Sequence, residues 1–153
     1  MATADDVLAG RFGDRFDERA AEAMVVFSPE RAPGVPAYLG LRITGVGPGW
    51  CVAEVELRPE LHNPAGVVHG SVVASLVDHI LGCTVIPHAP GTWPATLEFK
   101  LNYLAPAREG RLAARSELVS MSKRTAVVSV EVTNEDRLVA TALGTVMIVP
   151  PKT

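Results

Sequence analysis

From His62 to Thr96 the chain reads HNPAGVVHGSVVASLVDHILGCTVIPHAPGTWPAT, and Asp78 is the single formally charged side chain in it. A run so poor in charge is core or interface, because a solvated surface is marked by Lys, Glu and Arg. Laid out from Gly70 at about 100° per residue, Val72, Val73, Leu76, Val77, Ile80, Leu81 and Cys83 fall on one broad apolar arc. Ser71, Ser75, Asp78, His79 and Gly82 fill the rest. The pattern predicts a helix that begins near Gly70 and is buried around most of its circumference. Apart from His79 the neighbours of Asp78 are small, so a second subunit or a ligand is expected to pack closely there. A carboxylate in that setting costs free energy unless it is paired or hydrogen-bonded. Two readings follow: a structural bond to nearby backbone or to His79, or a catalytic carboxylate.

Just upstream, Gly66 and Gly70 frame an apolar turn into the helix. The first backbone N–H groups of a helix lack intrahelical partners and carry the positive end of its dipole. That suits a carbonyl oxygen gaining negative charge. Asn63 adds a side-chain amide donor, although Gly and Asn also mark ordinary turns.

Outward from this helix the chain alternates. Ala53, Val55 and Leu57 interleave with Glu54, Glu56 and Arg58, the two-residue period of a half-buried strand. After the helix, Leu97, Phe99, Leu101 and Tyr103 alternate with Thr96, Glu98, Lys100 and Asn102. Further strands are predicted over Tyr38–Val46, Leu112–Ser120, Thr125–Thr133 and Leu138–Val149, with turns at Gly47-Pro48-Gly49, Ser122-Lys123-Arg124 and Asn134-Glu135-Asp136. Near the N-terminus, Phe16, Ala20, Ala23, Met24 and Phe27 recur at helical steps over Asp14–Ser28, ended by Pro29, Pro33, Gly34 and Pro36. The fold class expected is α+β: an antiparallel sheet of five or six strands in meander order, wrapped around one central helix. Residues 1–36 make an N-terminal helix and loop, and residues 37–153 the domain proper.

Composition narrows the function. With 153 residues, 48% hydrophobic and 20% charged, one core is the default. A net charge of -3 disfavours nucleic acid as principal partner, since phosphate binding needs clustered basic residues. The acidic start MATADDVLAG lacks the pattern of a signal peptide, and no stretch approaches about 18 unbroken apolar residues. A cytoplasmic protein with no membrane partner is the expectation. Cys51 and Cys83 fit neither a zinc site nor a disulfide framework and read as small packing residues. His62, His79 and His88 lack a metal-binding spacing, so neither a metal nor any other cofactor is expected. Ser71 and Ser75 lack the Gly-x-Ser-x-Gly elbow of serine hydrolases.

The run NPAGVVHGSVVASLVD, Asn63 to Asp78, resembles the signature of hotdog-fold acyl-CoA thioesterases of the phenylacetic-acid-degradation (PaaI-like) branch. The continuation TLEFKLNYLAPA, Thr96 to Ala107, resembles the strand that follows the helix in that family, and the element order agrees from about Tyr38 onward. The resemblance implies that Asp78 activates water or attacks directly, that Asn63 orients the thioester, and that the Gly70 N–H polarises its carbonyl. Thr96 matches a Ser or Thr that assists the water in some members. Its strand alternation, however, groups it with Glu98 and Lys100, away from the apolar face. Ser71 departs from a second glycine and narrows the substrate pocket. His69, beside the donor, reads as a turn or capping residue at the edge of the substrate site rather than a base. Lys123 and Arg124 are candidates for the phosphates of coenzyme A, against the plain reading of a solvated basic turn.

The function implied is hydrolysis of an aryl- or medium-chain acyl-CoA, with coenzyme A as part of the substrate. A hotdog hydratase or dehydratase remains open, as does a non-catalytic acyl-CoA-binding protein. Gly70 and Asp78 lie about 12 Å apart along one straight helix. An attacking group needs to be about 3 to 3.5 Å from the thioester carbon. A second subunit with an antiparallel helix brings its own Asp78 beside this Gly70. A homodimer with shared sites is therefore expected, and the family resemblance extends this to a tetramer.

Overall fold

The structure, a computed structural model, describes residues 1–26 and 34–151. Its helices are α1 (Ala4–Phe12), α2 (Glu18–Val26), α3 (Val35–Leu39) and α4 (Gly70–Val85). Its strands are β1 (Arg42–Gly47), β2 (Trp50–Glu56), β3 (Trp93–Tyr103), β4 (Arg111–Met121), β5 (Thr125–Asn134) and β6 (Arg137–Val149). All six strands join one antiparallel sheet in the order β1-β2-β4-β5-β6-β3, and α4 lies against it, packing on β2 through β6. This is the α+β hotdog architecture that the sequence predicts. The strict meander is not kept. β1 pairs with β2, and β4, β5 and β6 follow one another, but α4 carries the chain across the sheet, so that β3 lands beside β6 at the far edge and β4 returns to pair with β2.

The α4 arc behaves as its spacing requires: Val72, Val73, Leu76, Val77, Ile80, Leu81 and Cys83 are buried, joined by Thr84 and Val85. Gly70–His88 has a mean hydropathy of 1.5, long and apolar enough by composition to cross a bilayer; here the sheet is what covers it. Thr84 answers for its burial by hydrogen bonds to the Ile80 carbonyl and to Ser116 Oγ on β4, both at 2.6 Å, and Ser116 passes the network to the Cys51 carbonyl on β2. Gly144 on β6 lets the helix come close. A Cβ there would stand 2.7 Å from a Leu81 methyl and 2.9 Å from the Phe99 Cβ. Cys51 and Cys83 are buried free thiols.

Three boundaries differ from the sequence reading. Of the helix expected over Asp14–Ser28, α2 takes up Glu18–Val26 and its start is a 3-10 turn at Gly13–Arg15, which a further helix, α1, precedes. Thr3 and Asp6 form a reciprocal capping box that starts α1. Phe27, Ser28, Pro29 and Pro33 lie outside the described residues. The strand expected from Tyr38 begins only at Arg42, because Pro36 opens the short helix α3 and Gly40, left-handed at φ 76°, closes it.

The third difference concerns β3. Thr96 pairs with Val146 and Glu98 with Thr145, so Leu97 is an extra, unpaired bulge residue. An added residue turns every side chain before it to the opposite face. Thr96 therefore shares the helix-facing side with Phe99 and Leu101, opposite the fully buried Val146, and Leu97 is 54% exposed. The simple alternation predicted the reverse for both.

Candidate active site

The loop before α4 is organised by Asn63. Its Oδ1 accepts from the N–H groups of Ala65 (2.9 Å) and Val67 (3.3 Å), and its backbone pairs with Val67 and Gly66. Two backbone donors on one atom identify that atom as the oxygen. The Nδ2 amide is left without a hydrogen bond among the described residues. His69 caps the helix: its Nδ1 accepts from the Ser71 N–H at 3.1 Å, with Ser71 Oγ at 2.7 Å. With Nδ1 accepting, the proton of the neutral ring sits on Nε2. Gly70 is the first helical residue, so its N–H has no partner within the helix.

A cleft of about 580 Å³ opens at this end, lined by His69, Gly70, Ser71, Tyr103 and the Leu104–Ala107 segment. Tyr103 forms part of the site, although strand alternation identifies it as no more than an apolar-face residue. Its hydroxyl donates to the Gly70 carbonyl at 2.8 Å. A Cβ on residue 70 would stand 3.1 Å from that oxygen, so glycine permits the bond. The placement follows from β3 running back along α4, which brings its last residue to the first turn of the helix.

Asp78 sits two turns along. It is exposed in the protomer, and among the described residues no side-chain hydrogen bond ends on its carboxylate. The burial expected for it is not supplied by its own chain. A second cleft, about 390 Å³, brings Asp78 together with Thr96, His79, Gly82, Cys83 and Trp93. Thr96 reaches it because of the Leu97 bulge. Burial lowers the His79 pKa, with the Asp78 charge opposing, and pushes the Cys83 thiol up to about 12. Both are neutral at pH 7, and Cys83 Sγ lies 3.6 Å from His79 Nε2. The wall of this cleft is therefore uncharged apart from Asp78.

The remaining candidates lie elsewhere. Lys123 and Arg124 are exposed on the β4–β5 turn and line neither cleft. His88 is buried away from both, and His62 Nε2 is a buried atom without a hydrogen-bond partner among the described residues. Among those residues no three His, Cys, Asp or Glu side chains gather as a metal site.

One protomer thus holds the N-terminus of α4 and the Asp78 carboxylate on the same helix, in separate clefts. The halves are complementary in chemistry: backbone and amide donors suit a developing oxyanion, and an unbonded carboxylate suits proton abstraction or attack. The Thioesterase superfamily model matches residues 65–141, the span that holds α4 and β3 through β5. The chain is 28% identical to a 1,4-dihydroxy-2-naphthoyl-CoA hydrolase of Listeria monocytogenes, over 67% of this chain and 84% of that protein. It is 25% identical to acyl-coenzyme A thioesterase 13 of Homo sapiens, over 72% of this chain and 81% of that one. Among solved structures, the phenylacetic acid degradation protein PaaI of Thermus thermophilus superposes with a TM-score of 0.68 at 32% identity, covering 73% of this chain and 96% of that one. With the fold, the clefts on α4 and the matched span in agreement, this chain belongs to the thioesterase superfamily, within its PaaI-like hotdog branch.

Proposed function

We propose that the protein hydrolyses an aryl- or medium-chain acyl-CoA to the free acid and coenzyme A, in sites shared across a homodimer. The observation that carries this reading is Asp78: a carboxylate with no hydrogen bond from the described residues, beside Thr96, in an otherwise uncharged cleft. The relatives named above support the class of substrate, because two of them are named for acyl-CoA hydrolysis.

In each site the Asn63 amide and the Gly70 N–H of one protomer hold the thioester oxygen, with His69 and Ser71 bordering the substrate. Asp78 of the partner then takes a proton from water as the water attacks the carbonyl carbon, with Thr96 orienting that water. Alternatively, Asp78 attacks the carbon itself and the resulting anhydride is hydrolysed. Either way the C–S bond breaks and the coenzyme A thiolate leaves and takes up a proton. Lys123 and Arg124 are assigned no step.

In this reading the distance along α4 is spanned by a second protomer. Support for one comes from β3, an edge strand that exposes Trp93, Leu97 and Tyr103, since an apolar unpaired edge invites pairing with another chain. The non-catalytic binding reading needs Asp78 to be occupied structurally, and its unbonded carboxylate weighs against that. A hydratase needs a His free to exchange a proton beside the acid, whereas His69 Nδ1 is engaged in the helix cap and Nε2 of the neutral ring carries the proton, which leaves no nitrogen free to accept one.

The test is to refold a mixture of Asn63→Ala and Asp78→Asn chains and assay release of free thiol from phenylacetyl-CoA and octanoyl-CoA. Each variant alone is expected to be inactive. Mixed dimers regain one intact site, and activity returns. Mixed dimers that form yet stay inactive rule out shared sites, and absence of thiol release by the parent protein removes the hydrolase reading.

A further inference from the structure

The N-terminal segment lies outside the span matched by the family model, yet α2 forms the wall of an apolar cavity of about 500 Å³. Ala20, Ala23 and Met24 of α2 face Leu41 and Ile43 across it. The floor is made by His79, Cys83 and Ile86, with Trp93 at the start of β3. Those last four residues also line the cleft that contains Asp78 and Thr96. The cavity therefore adjoins the Asp78 cleft at these four side chains, with the carboxylate on one side and the α2 wall on the other. Among the described residues no Asp, Glu, Lys or Arg lines the cavity, and the titratable groups there, His79 and Cys83, are both held in their uncharged forms by burial. A volume of about 500 Å³ lies inside the range of about 300 to 1,000 Å³ typical of small-molecule sites.

Resting on the thioesterase reading above, we propose that this cavity receives the acyl group of the substrate, so that α2 is the specificity-determining element and the group it admits is uncharged and apolar. A thioester carbon beside Asp78 has two substituents, and they must leave in different directions. The sulfur carries the long polar coenzyme A toward solvent. The acyl chain is the substituent that gains from an apolar wall, by about 0.8 kcal/mol for each methylene buried. A carboxylate at its far end would meet Met24 and Ile43 with no cation to pair with among the described lining residues, a cost that disfavours dicarboxylic acyl groups. Ala20 and Ala23 are the smallest side chains on this wall, and they leave the depth of the cavity open.

The proposal is tested with the full chain by measuring kcat/KM for propionyl-, octanoyl-, phenylacetyl- and succinyl-CoA in the parent, Ala23→Leu and Met24→Ala proteins. Ala23 is exposed, so enlarging it fills the cavity without repacking the core, and circular dichroism checks that each variant is folded. In the parent, succinyl-CoA is expected to be the poorest substrate. Ala23→Leu should lower kcat/KM for octanoyl- and phenylacetyl-CoA by about tenfold or more and leave propionyl-CoA within about twofold, the scale on which pockets discriminate single methylenes. Met24→Ala should shift the preference toward the longer chain. If Ala23→Leu changes all four substrates alike, or none, α2 does not wall the acyl site, while parental hydrolysis leaves the thioesterase reading standing. If the parent hydrolyses none of them, that reading fails. The cavity is then judged by calorimetric binding of the non-hydrolysable octanoyl thioether of coenzyme A, where equal affinity for parent and Ala23→Leu overturns the proposal.

Discussion

The two edges of the sheet are treated in opposite ways. The β1 edge is covered: α2 packs on β1, and Leu8 and Phe12 of α1 close over Gly49 in the β1–β2 turn. At its centre is His88, whose Nε2 accepts from the buried Gly49 N–H at 3.0 Å while Nδ1 donates to the Thr84 carbonyl at 3.0 Å, with Phe12 and Phe16 against its ring. The β3 edge is bare, broken by a bulge, and carries Trp93 at 72% and Tyr103 at 56% exposure. Both ring nitrogens of His88 at the first edge are engaged in holding the chain in place, and the proposed chemistry gathers at the second. The difference shows where stability and function can be separated by substitution.

The largest effect is expected at the β3 side. Asp78→Asn should lower kcat by about a hundredfold or more without changing the melting temperature, the cost of losing a general base or nucleophile. An unchanged kcat removes Asp78 from the mechanism. Next, Leu97→Lys puts a charge on the exposed bulge, a device by which natural edge strands resist pairing. Light scattering should then report a single chain where the parent is dimeric, with hydrolysis lost at the same time. A variant that stays dimeric and active places the subunit contact elsewhere.

At the β1 edge the prediction is the converse. His88→Ala strands the Gly49 N–H and should destabilise by about 1 to 3 kcal/mol in chemical denaturation, with kcat of the folded enzyme retained. The pH dependence follows from the same residue. Burial, with Arg15 adding to it, lowers the His88 pKa below its usual 6.5, and the Thr84 hydrogen bond only partly offsets this. The native state therefore holds the ring neutral where the unfolded chain binds a proton. Its contribution is fully present above about pH 6.5 and is lost as pH falls toward the native pKa. His79 shifts in the same direction. Stability should thus decline from pH 7 to pH 5, and His88→Ala should flatten that slope. An equal slope in both proteins assigns the decline to other groups.

Much of this architecture is legible in the residues. The α4 start, its buried arc and the three C-terminal strands are carried by periodicity, and Asp78 stands out as a candidate by its isolation. What escapes is whatever depends on a partner distant in sequence. The Leu97 bulge exists because β3 must match β6, so local alternation assigned Thr96 and Leu97 to the wrong faces. Tyr103 joins the Gly70 cleft through the return of β3 along α4, which no local pattern encodes. Helix α1 hides in a stretch of weak amphipathicity and is held by groups far along the chain, with Arg115 pairing Asp5 and Arg11 donating to the Val119 carbonyl. The apolar cavity has walls from α2, β1 and α4, each ordinary by itself.

The strand order also bears on the sequence of events at the ribosome. Strand β3 emerges well before β6, yet β6 is its single neighbour in the protomer sheet and the link between β3 and β5. Until Arg137–Val149 has been synthesised, β3 has no partner and α4 lacks part of its cover. Such non-local closure is slow and exposes apolar surface while it waits. A nascent chain halted before Arg137 is therefore predicted to need a holding chaperone over its longest apolar helix, and premature stop codons in the last strand should yield degraded chains rather than shortened enzymes.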